Sequence, residues 1–220
     1  MTETKILDRS SNREEIIDTA VGVLGRGGTI VYPTETVYGI GASLYNTKAV
    51  KEIYRIKSRT FNLPLTANVA SIEQVYDIAV NIPDDFHILA QRFLPGPLTI
   101  ILEKSRSVSD IVTSGMLTVG VRMPDHELFL DILEAFDLPV AGTSANISGR
   151  GSIVGVEKLK EEFNGKVDLI IDDGVCRIGT ESTIISLVDK LPEIIRAGAV
   201  SAEDIELCLR KKIVFRKSIF

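Results

Sequence analysis

Tryptophan is absent, and the 220-residue chain has only two cysteines and two histidines. Cys176 and Cys208 form neither a CxxC pair nor a disulfide framework, so a reducing compartment fits best. With His87 and His126 isolated in sequence, no zinc-ligand spacing occurs. No run approaches the ~18 apolar residues that a membrane helix needs. The opening stretch MTETKILDRSSNREE is polar and charged, unlike a secretory signal. A surplus of positive charge is missing too: 25 Lys and Arg against 30 Asp and Glu leave −5. A protein that coats nucleic acid carries the opposite sign. Any anion site must therefore be a local cationic patch on an acidic body. These absences lead us to expect a cytoplasmic protein with no membrane contact and no resident metal.

What is present is ordinary globular material, 45% hydrophobic and 25% charged. A chain of this size buries about 70% of its unfolded surface and needs no staples. Ser11 and Glu14 have capping-box spacing, and Ile16, Ile17, Ala20, Val21 and Leu24 follow at helical period. Glycines then end the helix, and residues 29–32 read as a buried strand stopped by Pro33. Further helices are expected over 47–57, from Ser71, from Pro83, and over 125–136, 156–163 and 201–210. Strands are expected over 65–69, 98–102, 118–122, 139–142, 167–171, 183–187 and 193–195, with an edge strand near 213–215. Helices and strands interleave, which argues for an α/β sheet with helices packed on it. The stretch 183–195, two strands with no helix between, implies some antiparallel pairing. Without repeats, low-complexity tracts or a linker, residues 1–220 are expected to be one domain.

Five polar segments sit where apolar strands end, the place where ligand sites gather in open sheets. Residues 33–41, PTETVYGIG, offer hydroxyls at Thr34 and Thr36 and two glycines; an ordinary capped strand-to-helix loop reads as well. Lys57 and Arg59 close a helix, where they either bind polyphosphate or complement the helix C-terminus. Thr118 and Arg122 are an even number apart on a strand and so face one side; Arg122 is an anion clamp or a surface residue. Residues 143–152 bring Thr143, Ser144, Asn146 and Ser152 into a loop without Walker A or GxGxxG spacing. That loop suits phosphate or base recognition, or simply solvent. Ser182 and Arg196 flank two further strands, again as ligand groups or as surface. There is no Gly-x-Ser-x-Gly elbow and no Ser-His-Asp set. Asp172-Asp173-Gly174 reads as a Mg²⁺ holder or, more commonly, a turn.

In order, GGTIVYPTETVYGIG, KSR followed by LPL, PGPLTIIL, TVGVRMP, GTSANISG, ESTII and IIRAG run from Gly27 to Gly198. Together they resemble the YrdC family of threonylcarbamoyl-AMP synthases. The resemblance implies a twisted mixed α/β sheet, flanked by helices, around a concave cationic cavity. It implies that L-threonine, bicarbonate (or CO₂) and ATP, with Mg²⁺, give threonylcarbamoyl-AMP and pyrophosphate. A threonylcarbamoyl transferase complex would then act on tRNA. By the same resemblance, Lys57 and Arg59 would be catalytic and hold ATP phosphates, with Arg196 nearby. Thr118, Ser144, Asn146 and Ser152 would line the nucleotide, and Thr34, Arg122, Thr143 and Ser182 would hold threonine. Some members add a second C-terminal domain, which this chain, ending at Phe220, is expected to lack.

Two rivals stand beside that reading. One is a double-stranded RNA or tRNA binder using the same cationic hollow, with steep salt dependence. The other is a nucleotidyl or carbamoyl transferase that accepts another amine.

Overall fold

The computed structural model of the chain describes residues 3–147 and 153–216. Within them, twelve strands form one mixed sheet. They are β1 (Lys5–Asp8), β2 (Ile30–Tyr32), β3 (Gly39–Ser43), β4 (Thr66–Asn68), β5 (Ala79–Val80) and β6 (Leu98–Lys104). After these come β7 (Thr118–Arg122), β8 (Val140–Ser144), β9 (Leu169–Asp172), β10 (Thr183–Ser186), β11 (Glu193–Arg196) and β12 (Val214–Phe215). The spatial order is β1-β9-β2-β3-β8-β4-β7-β6-β10-β11-β12, with β5 on the side of β6. Parallel pairs such as β2/β9 and β4/β7 are mixed with antiparallel ones such as β2/β3 and β6/β7.

Strand alternation decides which face each helix covers. Ile30 and Tyr32 of β2, with Leu169 and Ile171 of β9, join one apolar cluster. That cluster also holds Ile16, Ala20 and Val23 of α1 (Arg13–Gly25) and Phe129, Ile132 and Leu133 of α6 (Glu127–Phe136). Tyr32 stacks on Phe129 with ring centroids 3.8 Å apart, worth about 1 kcal/mol beyond its burial. The intervening residues Val31 and Ile170 point the other way, into a larger cluster. There they meet α2 (Thr47–Lys57), α4 (Asp84–Phe93), α7 (Val156–Phe163) and α8 (Ala202–Leu209). Two shorter helices, α3 (Ile72–Ile78) and α5 (Asp110–Thr113), add Val75, Ile78 and Val112 to it.

This larger cluster also takes Ala67 of β4, Val119 and Val121 of β7, Leu98 and Ile100 of β6 and Ile185 of β10. Their neighbours in sequence, including Thr66, Asn68, Thr99, Gly120, Arg122 and Ile184, therefore lie on the face that carries α1 and α6. The α1/α6 cluster contains nothing from β4, β6, β7 or β10. Among the described residues, half of that sheet face is thus left without a helix, and its surface is made mostly of small and polar side chains, with Ile184 among them.

Several local details differ from the sequence reading. The α1 cap is Asn12, whose side chain accepts from Glu14 N at 2.9 Å, rather than Ser11. Ser71 does cap α3 through Gln74 N, but Gln74 Oε1 reaches back to Ala70 N at 2.9 Å. The glycine-bearing segment after Pro33 is not a strand-to-helix loop. Gly39 to Ser43 return as a fully buried strand, antiparallel to both β2 and β8. The edge strand β1 was not expected from the sequence; it pairs in parallel with β9 over Lys5–Asp8.

Candidate active site

The bare half-face forms the floor of a cleft of about 130 Å³. Tyr32 shapes one end of it. A Cβ at Gly142 would stand 2.1 Å from Tyr32 Oη, and one at Gly39 would stand 2.5 Å from the same ring. Only glycine lets β3 and β8 pass so close to the tyrosine. Asn68 Nδ2 donates to Tyr32 Oη and to Val140 O, both at 3.1 Å, and so fixes the ring. Thr66, Thr99, Thr143 and Ser182 add hydroxyls to the cleft wall.

Residues 33–38 form the rim. Thr34 Oγ1 donates to Val37 O at 2.6 Å and lies 2.9 Å from Thr36 Oγ1, closing a tight turn. Ile178 N and Gly179 N bind Glu35 O and Thr36 O at 2.8 and 2.9 Å, pinning the turn from outside. Arg122 is nine-tenths buried beneath it. Its Nη2 donates to Glu35 Oε1 at 2.9 Å and to Thr36 Oγ1 at 2.8 Å. Its Nε reaches Gly96 O at 3.4 Å. Nη2 and Nε are thus committed, and the two N–H groups of Nη1, which have no partner among the described residues, remain for a guest carboxylate or phosphate.

Three arginines from distant parts of the chain, Arg59, Arg122 and Arg196, line this one cleft together with Glu181. Arg59 follows Ser58, which ends α2 in the left-handed conformation at φ 49°. The reversal lets Arg59 donate to Leu63 O at 3.2 Å and Pro64 O at 3.1 Å. Arg196 holds Ser182 O through Nη2 at 2.9 Å and Glu181 Oε2 through Nη1 at 2.6 Å. Burial lowers the pKa of Arg196, Glu181 opposes the shift, and Arg122 adds to it. Burial likewise lowers that of Arg59, with Tyr54 and Glu181 opposing and Arg196 adding. Each cation therefore feels the next.

Lys57 sits beneath the cleft wall rather than in it. The residue is 1% exposed, and Nζ donates to Ser144 O and, at 3.1 Å, to Asn146 Oδ1. Burial first and Arg59 second push its pKa down to about 7, against the pull of Glu181 and Glu162. Ser144 Oγ also donates to Asn146 Oδ1, at 2.7 Å.

The Sua5/YciO/YrdC family model, described as telomere recombination, matches residues 22–198. The chain belongs to the Sua5/YciO/YrdC family. Threonylcarbamoyl-AMP synthase of Pyrococcus abyssi is 44% identical over 190 residues, 86% of this chain and 56% of that protein. The Bacillus subtilis protein of the same name is 40% identical over 202 residues, covering 91% and 58%. The chain thus spans somewhat over half the length of these two relatives. Among solved structures, P. abyssi Sua5 complexed with L-threonine aligns over 97% of this chain and 63% of its own, with TM-score 0.93 and 40% identity. Escherichia coli YciO aligns over 93% of this chain and all of its own, with TM-score 0.82 and 25% identity. The expected fold, a mixed α/β sheet flanked by helices, is the one these Sua5/YciO structures share.

Against this family background, the residues singled out from sequence divide into groups. Thr34, Arg59, Arg122, Thr143, Ser144, Ser182 and Arg196 all line the cleft. Lys57 and Asn146 form the hydrogen-bonded layer behind Ser144. Thr118 opens β7 at the end remote from Arg122 and is not among the cleft-lining residues. Ser152 lies outside the described residues. Sequence reasoning passed over Glu35, Asn68 and Glu181. The available signal was a lone carboxylate among hydroxyls, in PTET and in EST, beside strands that are otherwise apolar.

Proposed function

We propose that this chain makes L-threonylcarbamoyl-AMP from L-threonine, bicarbonate (or CO₂) and ATP, releasing pyrophosphate. The observation that carries the reading is the convergence of Arg59, Arg122 and Arg196 on one cleft with a hydroxyl-rich floor. The names of the synthase relatives and the threonine complex of P. abyssi Sua5 support it. Arg122 takes the threonine carboxylate through Nη1, with Thr34, Thr143 and Ser182 around the rest of the amino acid. Arg59 and Arg196 take the phosphates, with Lys57 behind them and Ser144 and Asn146 beside the nucleotide. Thr118 and Ser152 belong to the same proposal, as nucleotide contacts.

The chemistry needs positioning and charge more than a nucleophile of the protein. The threonine amine bonds to the carbon of CO₂ and loses a proton, giving a carbamate. A carbamate oxygen then bonds to the α-phosphorus, the bond to the β-phosphate breaks, and pyrophosphate leaves with its electron pair. Mg²⁺ arrives with ATP as its counter-ion and is counted with the substrate. The product passes to a threonylcarbamoyl transferase complex that modifies tRNA. The reading is cytoplasmic and consistent with free Cys176 and Cys208; no helix among the described residues is long and apolar enough to cross a membrane.

The test is pyrophosphate release from ATP by the 220-residue chain. We expect release only when both threonine and bicarbonate are present. Release with another amine in place of threonine, or salt-sensitive RNA binding without ATP turnover, would overturn the reading in favour of one of its rivals.

A further inference from the structure

Tyr32 meets the cleft with one end only. Its ring lies between Phe129, stacked on it at 3.8 Å, and the backbone of β3, where a Cβ at Gly41 would stand 3.0 Å from the ring. Its hydroxyl lies against Gly142, whose added Cβ would stand 2.1 Å from Oη, and against Asn68, whose Nδ2 is 3.1 Å away. Phe129 and Gly41 are not among the cleft-lining residues, whereas Gly142, Asn68 and Tyr32 itself are. The hydroxyl is therefore the part of Tyr32 that faces the cleft.

The hydrogen of that hydroxyl is left over. Asn68 Nδ2 donates to Val140 O as well as to Tyr32 Oη. Val140 O can only accept, so the atom facing it is the amide nitrogen, and the same nitrogen faces Tyr32. The phenol is thus the acceptor in that contact, and its own O–H has no acceptor among the described residues. A tyrosine hydroxyl in so buried a residue ordinarily finds one. Beside it stands a cation. Asn68 and Arg122 are register partners on the parallel strands β4 and β7, which places the hydroxyl held by Asn68 about 5 Å, one strand spacing, from the strand of Arg122. Burial raises the Tyr32 pKa, and Arg122 opposes the shift more than Asn68 does, so the phenol stays protonated under the influence of the guanidinium. An O–H and the two N–H groups of Arg122 Nη1, all donors, complement an anion with two oxygens.

We propose that Tyr32 is a further substrate-binding residue of this cleft, its O–H donating to one carboxylate oxygen of threonine while Arg122 Nη1 holds the same carboxylate from β7. That contact presupposes the assignment of the threonine carboxylate to Arg122 made above. The test is calorimetric titration of the 220-residue chain and of its Tyr32→Phe variant with L-threonine and, separately, with ATP. The variant keeps the ring on Phe129 and removes the O–H alone. We expect the threonine Kd to rise about tenfold or more, the value of a hydrogen bond to a charged group, with the ATP Kd unchanged. L-2-aminobutyrate, which has the carboxylate without the side-chain hydroxyl, should lose affinity by the same factor in competition with threonine. An unchanged threonine Kd in Tyr32→Phe overturns this proposal and leaves the synthase reading standing. A loss confined to threonine would move the contact to its side chain, and equal losses for threonine and ATP would mark a distorted cleft; either overturns it. A wild-type chain that binds no threonine brings down both readings. The wild type also decides the matter without the variant: with ¹³C at tyrosine Cζ, the Tyr32 signal should shift saturably as threonine binds, and a signal that stays in place while threonine binds refutes the contact.

Discussion

Adding ATP at pH 8 should draw protons out of the buffer, and Lys57 sets how many. Burial and Arg59 hold this amine near pKa 7 while its Nζ rests on Ser144 O and Asn146 Oδ1. At pH 8 about nine-tenths of the chains then carry neutral Lys57, and at pH 7 about half do. A phosphate brought against Arg59 and Arg196 adds negative charge beside Lys57 and moves its pKa back toward the ordinary ~10.4. Binding should therefore take up about 0.9 proton at pH 8 and about 0.5 at pH 7. Calorimetric titration with ATP, repeated in buffers of small and large ionisation enthalpy, reads the number directly as the slope of apparent enthalpy against buffer enthalpy. The slope should collapse in Lys57→Met. A slope near zero at pH 8 in the wild type, or one that survives unchanged in Lys57→Met, would refute the placement of phosphate next to this amine.

The same group makes stability depend on pH. Between about pH 7 and about 10.4 the unfolded chain binds the Lys57 proton and the native chain does not, so stability rises with pH by up to about 1.4 kcal/mol per unit. The urea midpoint of the wild type should gain on that of Lys57→Met between pH 7 and pH 9, and parallel curves would count against a neutral buried lysine. Gly142→Ala places a methyl group 2.1 Å from Tyr32 Oη and 3.1 Å from Ile40 O. It should cost about 1–3 kcal/mol in urea unfolding, as overpacking does. Arg122→Lys keeps a positive charge near Glu35 but loses the fork. In pyrophosphate release, the threonine KM should rise about tenfold or more while kcat changes less; an unchanged KM would remove Arg122 from the amino-acid site.

Much of the framework was legible because its signals were local. Helix α2 was legible at about its observed limits, since Val50, Ile53 and Tyr54 mark one face and Lys57-Ser58-Arg59 marks the stop. Strand β7 and helix α7 also have the expected limits, set by Pro124 and by amphipathic spacing. Strand β3 escaped notice because GIGAS is buried on both sides and shows no alternation. Strand β1 escaped because three of its four residues are exposed, and what holds it is backbone pairing with β9, which side-chain patterns do not record. The arginines of the site could be named from the ends of strands and helices. Glu35 could not, because its importance comes from burial against Arg122, 87 positions away. Nor could the depth of Lys57, which depends on β8 folding over the end of α2.

Glu181 gives the arginine cluster an anion of its own before any ligand arrives. It bonds Arg196 at 2.6 Å and pulls on Arg59 and Lys57 as well. A tethered carboxylate competes with visitors without paying for its own capture. A chloride or a lone carboxylate that evicted it would gain little, exchanging one single charge for another. On the proposed reading, the ATP phosphates reach both Arg59 and Arg196 and so outcompete the tethered carboxylate. On the same reading, Glu181 makes the Arg196 side of the cleft selective by valence, while Arg122, whose partner is Glu35, is the side that takes the amino acid's single carboxylate.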